Sequence, residues 1–259
     1  MPAKENKKEI KIEKSPFGEL AFFTVLLIIY YAVRFFLADN FAIRNPNMGR
    51  IITTVMVVII IFTQILSAIS LSKSHCNGYP QIGKAFLYTL LPNILYMGPI
   101  IAFLMFFPGF KEPFSNTFGY LAISMWVKKA INEVLVGNSE KSNSLLKKIC
   151  QDESILVNLL TPSEEGFTQR LENLTKDSDG LRTDWKGTKG ESTLYNLVVI
   201  KDMIGEFFWI ILGLAITVST TFNGITAIEN CAKDGSLIED ALRAGAKKGR
   251  ESKLLKSIS

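Results

Sequence analysis

The sequence predicts an all-α fold, a polytopic transmembrane helical bundle of about four spans, with one re-entrant or interfacial helix and a small helical extramembrane insert. Three observations predict it. The 259-residue chain carries 29 Lys+Arg and 24 Asp+Glu, yet three stretches of at least 22 residues hold no formal charge. The mean hydropathy is positive, at +0.23. The apolar fraction, 48%, is ordinary for a soluble domain, so segregation of charge carries the reading rather than composition. Finally, one histidine and three cysteines leave little material for a disulfide scaffold, a zinc site or a His-based triad.

Phe17 to Leu37 forms the first span, with Glu19 and Arg34 close enough to its ends to snorkel toward headgroups. A cleaved signal peptide would be shorter and end in a small-x-small site, which FFLADNFAIR lacks, so an uncleaved anchor is expected. Ile51 to Ser72 is the second span, and its polar residues are only Thr, Gln64 and Ser. At about 1.5 Å per residue such a run crosses a ~30 Å hydrocarbon core. The third span, Ala85 to Phe107, contains Pro92 and Pro99. Each proline removes a backbone bond, a defect tolerated in a bundle where neighbouring helices re-satisfy the freed carbonyls.

Pro113 to Val136 is ambiguous, because only 15 uncharged residues precede Lys128 and Lys129; that length suits a re-entrant or interfacial helix better than a crossing. Phe207 to Ile228 is the last span. Leu194 to Glu206, apolar on one side, reads as the same helix before it enters the membrane, and Trp209 suits an interfacial belt. Arg34 and Glu206 are the candidate intramembrane charges, expected to snorkel, with pairing inside the bundle as the alternative.

Between the third and last spans, Ser144 to Leu160 reads as one amphipathic helix. A second begins at Thr161 or Ser163, with Pro162 near its first turn and Phe167, Leu171 and Leu174 on its buried side. TKDSDGLRTDWKGTKGEST then reads as a polar loop. Asn173-Leu174-Thr175 is a glycosylation sequon placed on that second helix, with Asn173 as candidate acceptor. The expected division is a charged N-terminal tail at 1–16, a membrane domain at 17–137, an extramembrane insert at 138–200, the last span at 201–228 and a basic C-terminal tail at 229–259. That tail, capped by Ser236 with Glu239 three residues on, reads as a basic amphipathic helix on an anionic membrane, as a nucleic-acid contact or as a solvated segment.

No Walker A loop, HExxH, GxSxG or paired CxxC is present, and His75-Cys76 lacks two further ligands for a metal. The chain is therefore expected to be no enzyme and to hold neither metal nor cofactor. Small residues (Gly98, Gly213, Ala32, Ser67, Ala68, Ser70) suit close helix packing or a homo-oligomer.

The stretch Cys76 to Tyr120, CNGYPQIGKAFLYTLLPNILYMGP and FPGFKEPFSNTFGYL, resembles multi-pass membrane proteins of large icosahedral double-stranded DNA viruses, most closely at Phe107-Pro108-Gly109 and Pro113 to Tyr120. The resemblance implies an inner-membrane or minor capsid-type protein of the virion, contacting the capsid shell, and brings no catalytic residues with it. Physically, Phe107, Phe110, Phe114, Phe118 and Tyr120 cluster where the third span ends, as candidate anchors at the membrane interface. The expected function is a structural link between a lipid bilayer and a protein assembly; the alternative is a channel or transporter subunit. With four spans the Lys/Arg-rich tails share the cytosolic side. A cysteine introduced at position 8 should then react with impermeant maleimide from the same side as one at position 250, and one at 180 from the opposite side. Labelling of 8 and 250 from opposite sides would require an odd number of spans.

Overall fold

The computed structural model describes residues 15–37, 46–135, 148–149, 151–162, 164–175, 185–229 and 231. Residues 1–14, 38–45, 136–147, 150, 163, 176–184, 230 and 232–259 lie outside the described residues, and with them the expected helix start at Ser144, the candidate cap Ser163 and the C-terminal helix capped by Ser236. The described chain is helical and contains no strand: α1 (Pro16–Leu37), α2 (Pro46–His75), α3 (Ile82–Pro92), α4 (Gly98–Phe106), α5 (Glu112–Phe114), α6 (Tyr120–Val134), α7 (Ser154–Leu159), α8 (Glu164–Thr175) and α9 (Lys189–Thr226). π-helical turns at Asn93–Met97 and Ser115–Gly119 and a 3-10 turn at Pro108–Lys111 join α3 through α6.

Three helical stretches are long and apolar enough to cross a membrane: Pro16–Phe35, Ile51–His75 and Ile82–Phe106. Their outward faces are apolar. Phe22, Val25 and Ile29 of α1, Val55, Val58 and Phe62 of α2 and Leu91, Ile94 and Leu95 of the third stretch are all exposed. A water-soluble helix would bury that side and show a polar one, so the pattern is that of an integral membrane protein.

The chain divides into two compact units, and the division falls inside α1, α2, the first π turn and α9. One unit comprises residues 1–23, 59–94 and 215–259. Here α2 and α9 run parallel. Gln64 Nε2 donates to Thr217 Oγ1 (3.4 Å) and His75 Nε2 to the Ile228 carbonyl (3.3 Å). Eleven residues separate the two contacts on each side of the pair, about three helical turns, which returns to the same face. Just beyond them a disulfide joins Cys76 to Cys231, with Cα atoms 5.4 Å apart. Pro92 cannot donate to the Tyr88 carbonyl four residues back; Thr221 Oγ1 of α9 does so instead, at 3.1 Å. Asn93 Nδ2 donates to Gln64 Oε1 and to the Thr89 carbonyl, both at 2.9 Å.

The other unit comprises residues 24–58 and 95–214. Its frame is an antiparallel pairing of the 97–134 chain with α9. Gly213 meets Met97 and Ile100, Gly205 meets Lys111 and Ser115, Lys201 meets Gly119, and Gly190 meets Glu133. Gly119 is needed for close approach: a Cβ there would lie 2.5 Å from the Lys201 carbonyl oxygen. Ile123, Val127, Ala130, Ile131 and Val134 fall at helical spacing on one side of α6. They build a buried core with Leu156 and Val157 of α7, Phe167 and Leu171 of α8, Trp185, and Leu194 and Val198 of α9.

Two sequence expectations are corrected. The amphipathic helix expected over 144–160 is interrupted: Asp152 Oδ1 accepts from the Ser154 amide (3.0 Å), a local turn that stops one helix and starts α7. The polar loop expected to extend through residue 193 ends earlier. Thr188 Oγ1 accepts from the Glu191 amide (3.3 Å) and Glu191 Oε2 from the Gly187 amide (2.6 Å), a capping arrangement that starts α9 at Lys189. Trp185, in the same supposed loop, is buried in the core.

Gly119→Ala should lower stability by about 1–3 kcal/mol through overpacking against backbone. Gly83→Ala on α3, where an added Cβ meets nothing within 4 Å, should not. Thermal unfolding in detergent compares them; equal melting temperatures would show that the α6–α9 contact is looser than described.

Candidate functional site

The polar residues of an apolar bundle are its candidate functional groups, because each must find a partner where water is absent. In the unit of residues 24–58 and 95–214 they converge on Glu206. Its Oε1 accepts from Tyr31 Oη (3.0 Å), Arg34 Nη1 (2.9 Å) and Thr53 Oγ1 (2.9 Å). Lys111 Nζ stands 3.8 Å from Oε2 and 2.6 Å from Asp202 Oδ2. Thr53 spends its only proton on Glu206, so it accepts from Arg34 Nη1 (2.8 Å) and from Tyr30 Oη (2.8 Å).

Each element supplies its group for a local reason. Asp202 and Glu206 lie four apart on α9 and so share a face. Tyr31 and Arg34 lie three apart on α1 and share another; the Arg34 guanidinium stands 5.8 Å from the Tyr31 ring centre. Lys111 is delivered by the 3-10 turn that Pro108 opens. Two cations and two carboxylates are thereby balanced, and all four side chains are largely shielded, at 9–21% exposure. Oε1 has no capacity left for a ligand. Chemically, the arrangement holds three helical segments and a turn together through Oε1, while Oε2 faces only Lys111 Nζ at 3.8 Å.

Around it lies an aromatic clamp. Phe110 stacks on Trp209 (4.2 Å between centres), whose Nε1 donates to the Phe110 carbonyl (2.8 Å). Phe114 contacts Phe208 and Trp209, and Phe118 stacks on Phe208 at 4.5 Å. Of the five candidate anchors, Phe107 and Phe118 are exposed, whereas Phe110 and Phe114 are half-buried by rings of the same chain. Tyr120 is half-buried against the α6–α9 core. Asn173, the candidate glycosylation position, is exposed on α8.

Sequence reasoning singled out Arg34 and Glu206, which the structure brings together, but not Thr53, Tyr30, Tyr31, Lys111 or Asp202. The Asp202/Glu206 spacing just before an uncharged stretch was a readable signal for a docking cation. The hydroxyls gave none, since Thr and Tyr are unremarkable in apolar helices. Nor were Cys76 and Cys231 paired from sequence. Lys201, also buried, donates to Asn116 Oδ1 (2.9 Å). Among the described residues, no three His, Cys, Asp or Glu side chains come within reach of a common metal ion. An open cleft of about 510 Å³ lies in the α8–α9 region, lined by Phe167, Thr168, Thr188, Glu191 and Tyr195; its Thr188 and Glu191 are occupied in capping α9.

Arg34→Met alone should cost about 3–5 kcal/mol by stranding the Glu206 carboxylate, and Arg34→Met combined with Glu206→Met should recover most of it. A double-mutant cycle on unfolding in detergent reads the coupling; additive losses would show that the pair acts independently.

No known protein family, curated protein or solved structure matches the chain.

Proposed function

We propose that the chain is a structural, non-catalytic integral membrane protein that joins a lipid bilayer to a protein assembly. Following the resemblance over residues 76–120, that assembly is the capsid shell of a virion and the bilayer its internal membrane. In this reading α1, α2, the α3–α4 stretch and residues 207–228 cross the bilayer in alternation. The parallel run of α2 and α9 supports it, because the second and fourth spans of an alternating bundle point the same way. Both tails then share one side, and the helical insert occupies the other.

The observation that carries the proposal is the continuity of α9. Its 38 residues reach about 57 Å, nearly twice a hydrocarbon core of ~30 Å. Its first half is built into the packed core of the insert, and its second half is uncharged. A load on the insert therefore passes to the membrane through an unbroken rod. The pairing of Glu206 with Arg34, and of Lys111 with Asp202, weighs against the alternative of a channel or transporter, which needs a charge free to exchange partners.

Fractionation of purified particles tests the reading. The chain should remain with the membrane-containing layer and cross-link to shell proteins through residues 138–200; absence from that layer would remove the proposal. Reconstituted liposomes should show no solute flux, and a flux sensitive to Glu206→Gln would favour a transporter instead.

A further inference from the structure

We infer that α6 faces the outer leaflet on the insert side, with Phe118, Leu121 and Met125 against acyl chains, Trp126 in the headgroup belt and Lys128 and Lys129 on lipid phosphates. The inference rests on the membrane reading above and moves the lipid boundary it implies.

One side of α6 is committed to the insert core. The opposite side carries Leu121, Met125 and Trp126 at 71%, 79% and 54% exposure. Exposed aliphatic and aromatic groups at successive turns on one helix face require a cover. The polarity of that face changes along the axis: apolar through Trp126, then Lys128 and Lys129, both exposed. That order, from apolar to Trp to Lys, is the one found where a helix rises out of a bilayer.

Two further observations name lipid as the cover. The face is continuous with the exposed end of the third apolar stretch, where Phe103, Phe106 and Phe107 are exposed. An unbroken series of ring contacts links them, from Phe107 to Phe103, Phe110, Trp209, Phe114 and Phe118. The lysines also sit where phosphate charge would complement them, each contributing about 1 kcal/mol near an anionic surface.

The boundary then shifts. Lys201, beside Gly119, is five residues beyond Glu206, and Trp126 is seven residues beyond Gly119. At 1.5 Å per residue, Trp126 lies roughly 18 Å farther toward the insert than Glu206. The Arg34–Glu206–Lys111–Asp202 cluster lies nearer the bundle than that belt, and its charges are balanced by pairing within it.

Tryptophan quenching in phosphatidylcholine nanodiscs tests this, the Trp126 signal being the difference between the full-length protein and Trp126→Phe. Trp126 should lose intensity to lipids brominated near the headgroup and keep it in aqueous iodide. The reverse pattern would overturn the inference and make this face a surface for a protein partner. A photo-cross-linking benzoylphenylalanine at the exposed position 125, which leaves the core untouched, should give lipid adducts; adducts to protein alone would overturn it as well. Lys128→Ala with Lys129→Ala should reduce the preference for phosphatidylserine over phosphatidylcholine about fivefold per lysine, and an unchanged preference would remove the contact of these lysines with anionic headgroups. A chain that stayed monodisperse in buffer without detergent would overturn the membrane reading itself; iodide access in a chain that needs detergent overturns only this inference.

Discussion

A carboxylate removed from water has to be neutralised where it stands, and Glu206 imposes that condition on everything around it. Tyr31 and Arg34 fix the rotation of α1, Thr53 fixes that of α2, and Lys111 fixes the turn after α4. Apolar helices in lipid have little preference for one rotation over another, since any face is as oily as its surroundings. Directional bonds to one oxygen supply that preference, so a single acidic group sets the azimuth of its neighbours.

The same economy governs the backbone. Pro92 leaves the Tyr88 carbonyl without its helical donor, and Thr221 on another helix replaces it. The π turns after Pro92 and after Pro113 each absorb an extra residue and re-aim the chain. Polar side chains in these helices thus serve defects in the helices beside them. Gln64, bridging Asn93 and Thr217, ties the same unit together in a like way.

The apolar stretches, the extension of α9 ahead of its uncharged half and the aromatic turn after Phe107 were legible because hydropathy and spacing are local properties. Rotation was not. A threonine in an apolar run says nothing of which neighbour it faces, so Thr53 and Thr221 gained meaning only in three dimensions. Cys76 and Cys231 are separated by 155 residues, and nothing short of knowing that α2 and α9 end side by side pairs them. The start of α9 was readable after all: Thr188 and Glu191 have capping spacing, but Gly187 and the polar residues before it outweighed that signal.

The Cys76–Cys231 bond also has a mechanical meaning. Tension applied beyond residue 231 does not pull on α9 alone; it is shared at once with α2, through a covalent yoke across their adjacent ends. The two joined helices resist unwinding together, and neither can be peeled away one turn at a time from that end.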